Sequence, residues 1–232
     1  MVAKTNLEEV KITAQCLLMT EVHKTVLSPI IVQHPFTSSG IAMLPGTNEM
    51  LDITANAESL KTWQDYVSGL IKKAKTAYDI FMLLNKGYAL TFLKFTKYAL
   101  SAEDLAQILA DAWIQAENPN MDCNVTKEEL VSMFKCSDRD YLMTEAERKR
   151  LADLEETVTV YRGVTSYNAR NVKALSWTLD KKKAEWFAHR FGEQGTVYQA
   201  QISKGNILAI FTGRNESEVI LNPKKLEQLK AI

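Results

Sequence analysis

Two glutamates, Glu216 and Glu218, stand two positions apart in "RNESEVILNP", at the mouth of an apolar run that ends at Pro223. Side chains at i and i+2 of a strand share a face, so the two carboxylates are expected side by side. A lone pair of this kind is most often a charged strand edge. Paired carboxylates also do chemistry: one can steady a developing positive charge while its neighbour accepts a proton. Their repulsion should raise one of the two pKa values. Two further stretches carry compatible groups. In "VYRGV", Arg162 stands before Gly163 near the end of an expected strand; a guanidinium fork binds phosphate oxygens, and a missing Cβ lets a ligand approach the backbone. In "LSWT", Ser176 and Thr178 share one strand face and Trp177 takes the other.

The elements that must position these groups change character near residue 156. Before it, the period is helical: "AESLKTWQDYVSGLIKKA" sets Leu60, Trp63, Val67, Leu70 and Ile71 on one face. Ser101 with Asp104, Thr126 with Glu129, and Thr144 with Glu147 each pair an N-cap residue with an acid three positions on. Helices are expected over 58–74, 77–84, 87–98, 101–117, 126–135 and 144–154. Within the first fifty residues, "NLEEVKITAQCLLMTEVHK" is compatible with a helix, and the stretch after it, broken by Pro29, Pro35, Gly40, Pro45 and Gly46, reads as extended or loop. After residue 156 the period is two. "TVTVYRGV", "VKALSWT", "GTVYQAQIS", "NILAIF" and "SEVIL" read as short strands, interrupted by one helix in "DKKKAEWFAHRF". On that helix Asp180 is the cap, and Ala184, Phe187, Ala188 and Phe191 form the apolar face. The fold class expected is α+β: a mainly helical region over 1–155 packed on a β core over 156–232.

Composition narrows the function. Residues 1–155 carry 16 Lys/Arg against 21 Asp/Glu, and residues 156–232 carry 12 against 7, so a neutral chain hides a basic C-terminal part. That surplus suits an anionic ligand and falls short of a dedicated nucleic-acid-binding domain. Cys16, Cys123 and Cys136, with His23, His34 and His189, offer neither a zinc spacing nor a disulfide framework, so no metal is expected. No apolar stretch of about 18 residues or more appears and the first residues lack a signal-peptide pattern. A cytoplasmic protein with no membrane partner is therefore expected.

In order along the chain, "YRG", "SWT" with the helix "AEWFAHRF" after it, and "ESEVIL" resemble the mono-ADP-ribosyltransferases of the arginine, serine, glutamate class. This is the cholera-toxin-like branch found in bacterial toxins, phages and vertebrate ecto-enzymes. The likeness spans about residues 157–223. It implies an ADP-ribosyltransferase-like mixed β core, with NAD as the substrate. Arg162 would support NAD, Gly163 would offer backbone groups to the nicotinamide carboxamide, and Ser176, with Thr178 beside it, would hold Glu218. Glu218 matches the catalytic glutamate, which steadies the oxocarbenium-like ribose as the bond to nicotinamide breaks. Glu216 would orient or deprotonate the acceptor, and a glutamate there accompanies arginine as target. Beside the resemblance, Phe187 is a candidate either to stack on the cofactor or to pack in the core, and Arg190 either to contact its phosphates or to face solvent; Phe211, in "FTGRNE", matches the target-recognition loop. Two features depart from the pattern: Trp177 replaces the middle of the usual Ser-Thr-Ser, and only 14 positions separate Arg162 from Ser176. Water, a nucleic acid or a small molecule remain alternative acceptors. A non-catalytic helical interaction protein with a degenerate transferase fold is the alternative from another class.

Overall fold

In the computed structural model, which describes residues 2–44, 49–116, 118–213 and 217–232, the chain divides into two compact units, 1–116 and 117–232. The boundary expected at 155/156 thus lies at 116/117. The architecture is α+β, with helices and antiparallel sheets in each unit.

In the first unit α1 (Leu7–Leu18) starts where the Asn6 side chain accepts from the Glu9 amide, which satisfies an otherwise free helix donor. The helix stops at Leu18, and the end of the stretch read as compatible with a helix forms β1 (His23–Lys24) instead; the stretch expected as extended or loop supplies β2 (Ile31–His34) and β3 (Thr37–Ser39), which join β1 in one sheet, and β4 (Ile41–Met43), which pairs with β5 (Met50–Asp52) just beyond it. Helix α2 (Ala57–Lys73) buries Trp63, Val67 and Ile71, as its spacing predicts, and leaves the Lys61–Asp65 pair in solvent. Helices α3 (Ala77–Phe81), α4 (Ala89–Thr96) and α5 (Ala102–Gln115) complete the unit, and Ser101 caps α5 by accepting from the Asp104 amide. The helix expected over 77–84 stops at Phe81.

His34 lies wholly inside this unit. Its Nδ1 accepts from the Phe36 amide at 3.1 Å and its ring meets Trp63 edge-on at 5.1 Å, while Nε2 has no partner within hydrogen-bond geometry among the described residues. Burial holds its pKa below 6.5, against the opposing pull of the Leu18 and Thr20 carbonyls; the charge of His23 lowers it further. A group with a depressed folded-state pKa contributes fully above its unfolded value, and its contribution is lost as pH falls from there towards the folded value. The first unit is therefore expected to lose stability as pH falls below about 6.5. Thermal melts at pH 7.5 and 5.5 check this: the drop should shrink in His34→Gln, and an equal drop in both proteins would exclude His34 as the cause.

The second unit begins with three helices that belong to its sheet. Helices α6 (Lys127–Cys136) and α8 (Glu145–Ala152) both start with a full capping box, Thr126 with Glu129 and Thr144 with Glu147, and α7 (Arg139–Leu142) lies between them. The strands are β6 (Thr157–Val164), β7 (Ser176–Thr178), β8 (Thr196–Ser203), β9 (Ile207–Phe211), β10 (Glu218–Leu221) and β11 (Glu227–Ala231), with α9 (Lys181–Ala188) after β7. They form one sheet in the order β11-β8-β6-β7-β10-β9, and its pairings are all antiparallel where a mixed core was expected. Strand β11 was not expected from the sequence, because "EQLKA" offers only Leu229 and Ala231 as apolar residues; it forms an edge on β8.

The other edge explains the domain boundary. Strand β9 is buried along its whole length and would leave backbone groups unpaired on its outer side. Side chains from 139–147 take them. Arg139 Nη2 donates to the Ile207 carbonyl, the Ile210 amide donates to Met143 Sδ at 3.3 Å, and just past the strand the Thr212 amide donates to Glu147 at 2.7 Å. Phe134 of α6 packs its ring on Phe211 at 6.4 Å. These helices finish the sheet, so they fold with it.

Candidate active site

The register places the catalytic candidates. Glu218 lies opposite Thr178, Ile220 opposite Ser176, and Thr178 also opposite Tyr161 of β6. Opposed residues in an antiparallel pair point to the same face, so Ser176, Thr178, Glu218 and Tyr161 share one. Trp177 and Val219 take the other face, as expected, and both are buried. Ser176 and Glu218 are then diagonal neighbours, and the Ser176 hydroxyl donates to Glu218 Oε1 at 2.5 Å. Both residues are half-buried, open enough to meet a ligand.

Arg162 reaches the same place by a break in the sheet. Strands β6 and β7 pair only at Tyr161 and Thr178. One step beyond, where the ladder would continue, Arg162 Nη1 donates to the Ser176 carbonyl at 2.6 Å. The guanidinium thus replaces a strand bond and ties the serine to β6. Burial pushes its pKa down to about 10, opposed by the negative charge of Glu218, so it stays protonated at neutral pH. Its Nε is buried and has no partner among the described residues. A second cation stands nearby: Lys127, at the start of α6, donates to the Lys173 carbonyl, and burial followed by the charge of Arg162 lowers its pKa. Two cations beside a serine-held carboxylate suit a ligand that carries phosphates next to a centre that becomes positive.

Asn120 supports the serine from outside the sheet. Its Oδ1 accepts from the amides of Leu175 and Ser176 at 2.9 and 3.3 Å, fixing the start of β7. Glu147 and Arg150 of α8 support the approach to Glu218. Glu147 uses one oxygen, Oε2, for its own helix cap and the other, Oε1, for the amide and hydroxyl of Thr212. Burial works to raise its pKa, but these hydrogen bonds outweigh burial and hold the carboxyl below the ordinary range. Arg150 Nη2 donates to Ser217 Oγ at 3.1 Å. No local pattern in the sequence marks Asn120, Lys127 or Arg150, and Glu147 is legible there only as a helix cap.

Other expected site residues have different surroundings. A Cβ at Gly163 would stand 2.2 Å from the Ala184 carbonyl and 2.5 Å from the Ala188 amide. The missing Cβ makes room for the close approach of α9. Thr178 is buried, and its hydroxyl accepts from the Asp180 amide. Phe187 is half-buried against Gly163, with its ring edge-on to Trp186. The helix ends at Ala188, and Phe191, expected on its apolar face, has a φ of 63° and is 76% exposed. Arg190 stacks over the Phe191 ring at 4.5 Å and lines, with Lys181, Trp186 and His189, an open cleft whose lining includes neither Ser176 nor Glu218. Phe211 is 4% exposed and packed on Phe134, so its ring belongs to the core and not to an acceptor surface.

The two-glutamate argument also changes. Strand β10 begins at Glu218, and Ser217 before it has a φ of 47°, so strand alternation does not run through Ser217. Val219 and Leu221 are buried in the core, whereas Ser217 bonds Arg150. Glu216 lies outside the described residues, and with it the expected repulsion. Among the described residues no group of His, Cys, Asp and Glu is placed to hold a metal ion, and no helix is long and apolar enough to cross a membrane. Comparison of the chain with protein-family models, with curated proteins and with solved structures found no match.

Proposed function

We propose that the chain is a mono-ADP-ribosyltransferase that cleaves NAD and transfers ADP-ribose to an arginine of a target protein, with an ADP-ribosyltransferase-like fold in its second unit. The observation that carries this reading is the Ser176 hydroxyl donating to the Glu218 carboxylate, with Arg162 bonded to the carbonyl of that same serine. Residues 42 apart in sequence are thereby joined as the resemblance to this class requires. Arg162, and Lys127 near it, supply positive charge for the pyrophosphate, and the Arg162 Nε has no partner among the described residues.

In the reaction the bond between ribose C1′ and the nicotinamide nitrogen breaks, and its electron pair leaves with nicotinamide. Positive charge grows on the ribose, and the Glu218 carboxylate, fixed by Ser176, stabilises that state more than the ground state. The acceptor nitrogen then bonds C1′ and gives up a proton, which Glu216 is assigned to receive. No metal takes part in this scheme.

NAD labelled in its adenylate part, incubated with the chain and cell lysate, tests the reading. Nicotinamide release together with label that protease removes is the expected result. Label removed by nuclease instead would reassign the acceptor to nucleic acid, release without label would reassign it to water, and no release at all would refute the enzyme.

A further inference from the structure

Helix α8 precedes the whole β core in sequence and contributes no group to the catalytic arrangement above, yet it holds both ends of the segment that leads into Glu218. Glu147 fixes Thr212 at the exit from β9, through two hydrogen bonds of 2.7 and 2.9 Å. One helical turn further on, Arg150 fixes Ser217, the residue immediately before Glu218. Ser217 adopts a φ of 47°, a left-handed conformation that a serine seldom takes without support. Its carbonyl also accepts from the Leu179 amide, at a long 3.4 Å. The Arg150 bond is therefore the firmer of these two ties on the residue that sets the direction of the next side chain.

We propose that Arg150 is a positioning residue for Glu218: by holding Ser217 in its left-handed conformation, it aims the carboxylate at the ribose. This rests on the transferase reading. An arginine suits the task because its fork reaches the hydroxyl from a neighbouring helix with a fixed donor direction, while a glycine at 217 would permit the conformation without enforcing it. The arrangement also gives the helices before the sheet a part in catalysis, through position and not through contact with the substrate.

The test measures nicotinamide release by the full chain, with Arg150→Met, Ser217→Ala and the double variant. A carboxylate displaced by about an ångström loses rate more than substrate binding, so kcat should fall about 10-fold or more in each single variant, with KM for NAD unchanged. The two residues act through one bond, so the double variant should be no slower than either single one. Arg150→Lys, which keeps a donor at that place, should recover part of the rate. Thermal melting separates this from a loss of fold, and if Arg150→Met does not fold, Ser217→Ala alone carries the test. Full kcat in both single variants, or losses that add in the double variant, overturns the positioning role. A wild-type chain that releases no nicotinamide overturns the transferase reading and this role together, whereas an active wild type with unimpaired single variants overturns this role alone.

Discussion

On the proposed reading, Glu218→Gln is expected to lower nicotinamide release by about 10²- to 10³-fold, the range seen when one preorganised electrostatic group is removed from a transition state. Glutamine has the shape of glutamate and keeps an oxygen for the Ser176 hydroxyl, so the 2.5 Å hydrogen bond has a replacement and the fold is untouched. Only the charge is lost. In the ground state a neutral amide is tolerated, and the neighbouring guanidinium of Arg162 still favours an anionic ligand. KM for NAD should therefore change little while kcat collapses, the mark of an interaction made chiefly in the transition state. Steady-state release of nicotinamide from purified wild type and variant, with matched melting temperatures, decides it. A variant within about threefold of wild type would remove Glu218 from the chemistry, since no transition-state charge worth the name would then rest on it.

Gly163→Ala is expected to be the most damaging small change to the second unit. The added carbon would meet the Ala184 carbonyl at 2.2 Å, the Ala188 amide at 2.5 Å and Phe187 Cβ at 2.8 Å. Two of these are helix backbone and cannot rotate away, so α9 must lift from β6. Gly195 makes the neighbouring approach, where a Cβ would stand 2.3 Å from the Val164 carbonyl, so the helix end is pinned at two glycines. Overpacking of this kind costs about 1–3 kcal/mol, and the upper end is expected where the neighbours cannot yield. The core of Ala184, Ala188 and Val197 beneath the helix, with Tyr161 beside it, opens at the same time. Gly205→Ala is the control: nothing lies within 4 Å of its added carbon, and a change within about 0.5 kcal/mol is expected. Urea unfolding with hydrogen exchange read in α9 and β6 separates the second unit from the first. Equal midpoints for the two variants would show that the helix is not held as tightly as its geometry requires.

The legible parts of the molecule were those carried by neighbours in sequence. The three helix starts at Ser101, Thr126 and Thr144 needed only a cap and an acid three residues on, and all three became caps. Alternation alone placed Ser176 and Thr178 on one face, with Trp177 on the other. The same argument failed on the neighbouring strand of the sheet, because Ser217 leaves the extended conformation and the strand starts only at Glu218. Phe211 shows a different failure: its place beside a polar loop suggested a recognition surface, but α6 supplies Phe134 to cover it. No periodicity within "FTGRNE" could have announced a partner as distant in sequence as Phe134.

By itself, then, the sequence determined most of the longer helices, five of the six strands of the second sheet, where several helices begin, and the order of an arginine, a serine and a glutamate on three strands. Only the tertiary structure decided that Arg162 bonds the Ser176 carbonyl, that Gly163 and Gly195 exist for α9, and that the helices of 127–152 belong to the sheet. The physical reason is range. Caps and alternation are set by residues within four positions of each other, whereas Glu147 and Arg150 bond partners 65 and 67 positions away. Such bonds exist only once the chain has closed those loops and β9 has acquired an outer edge for the helices to cover.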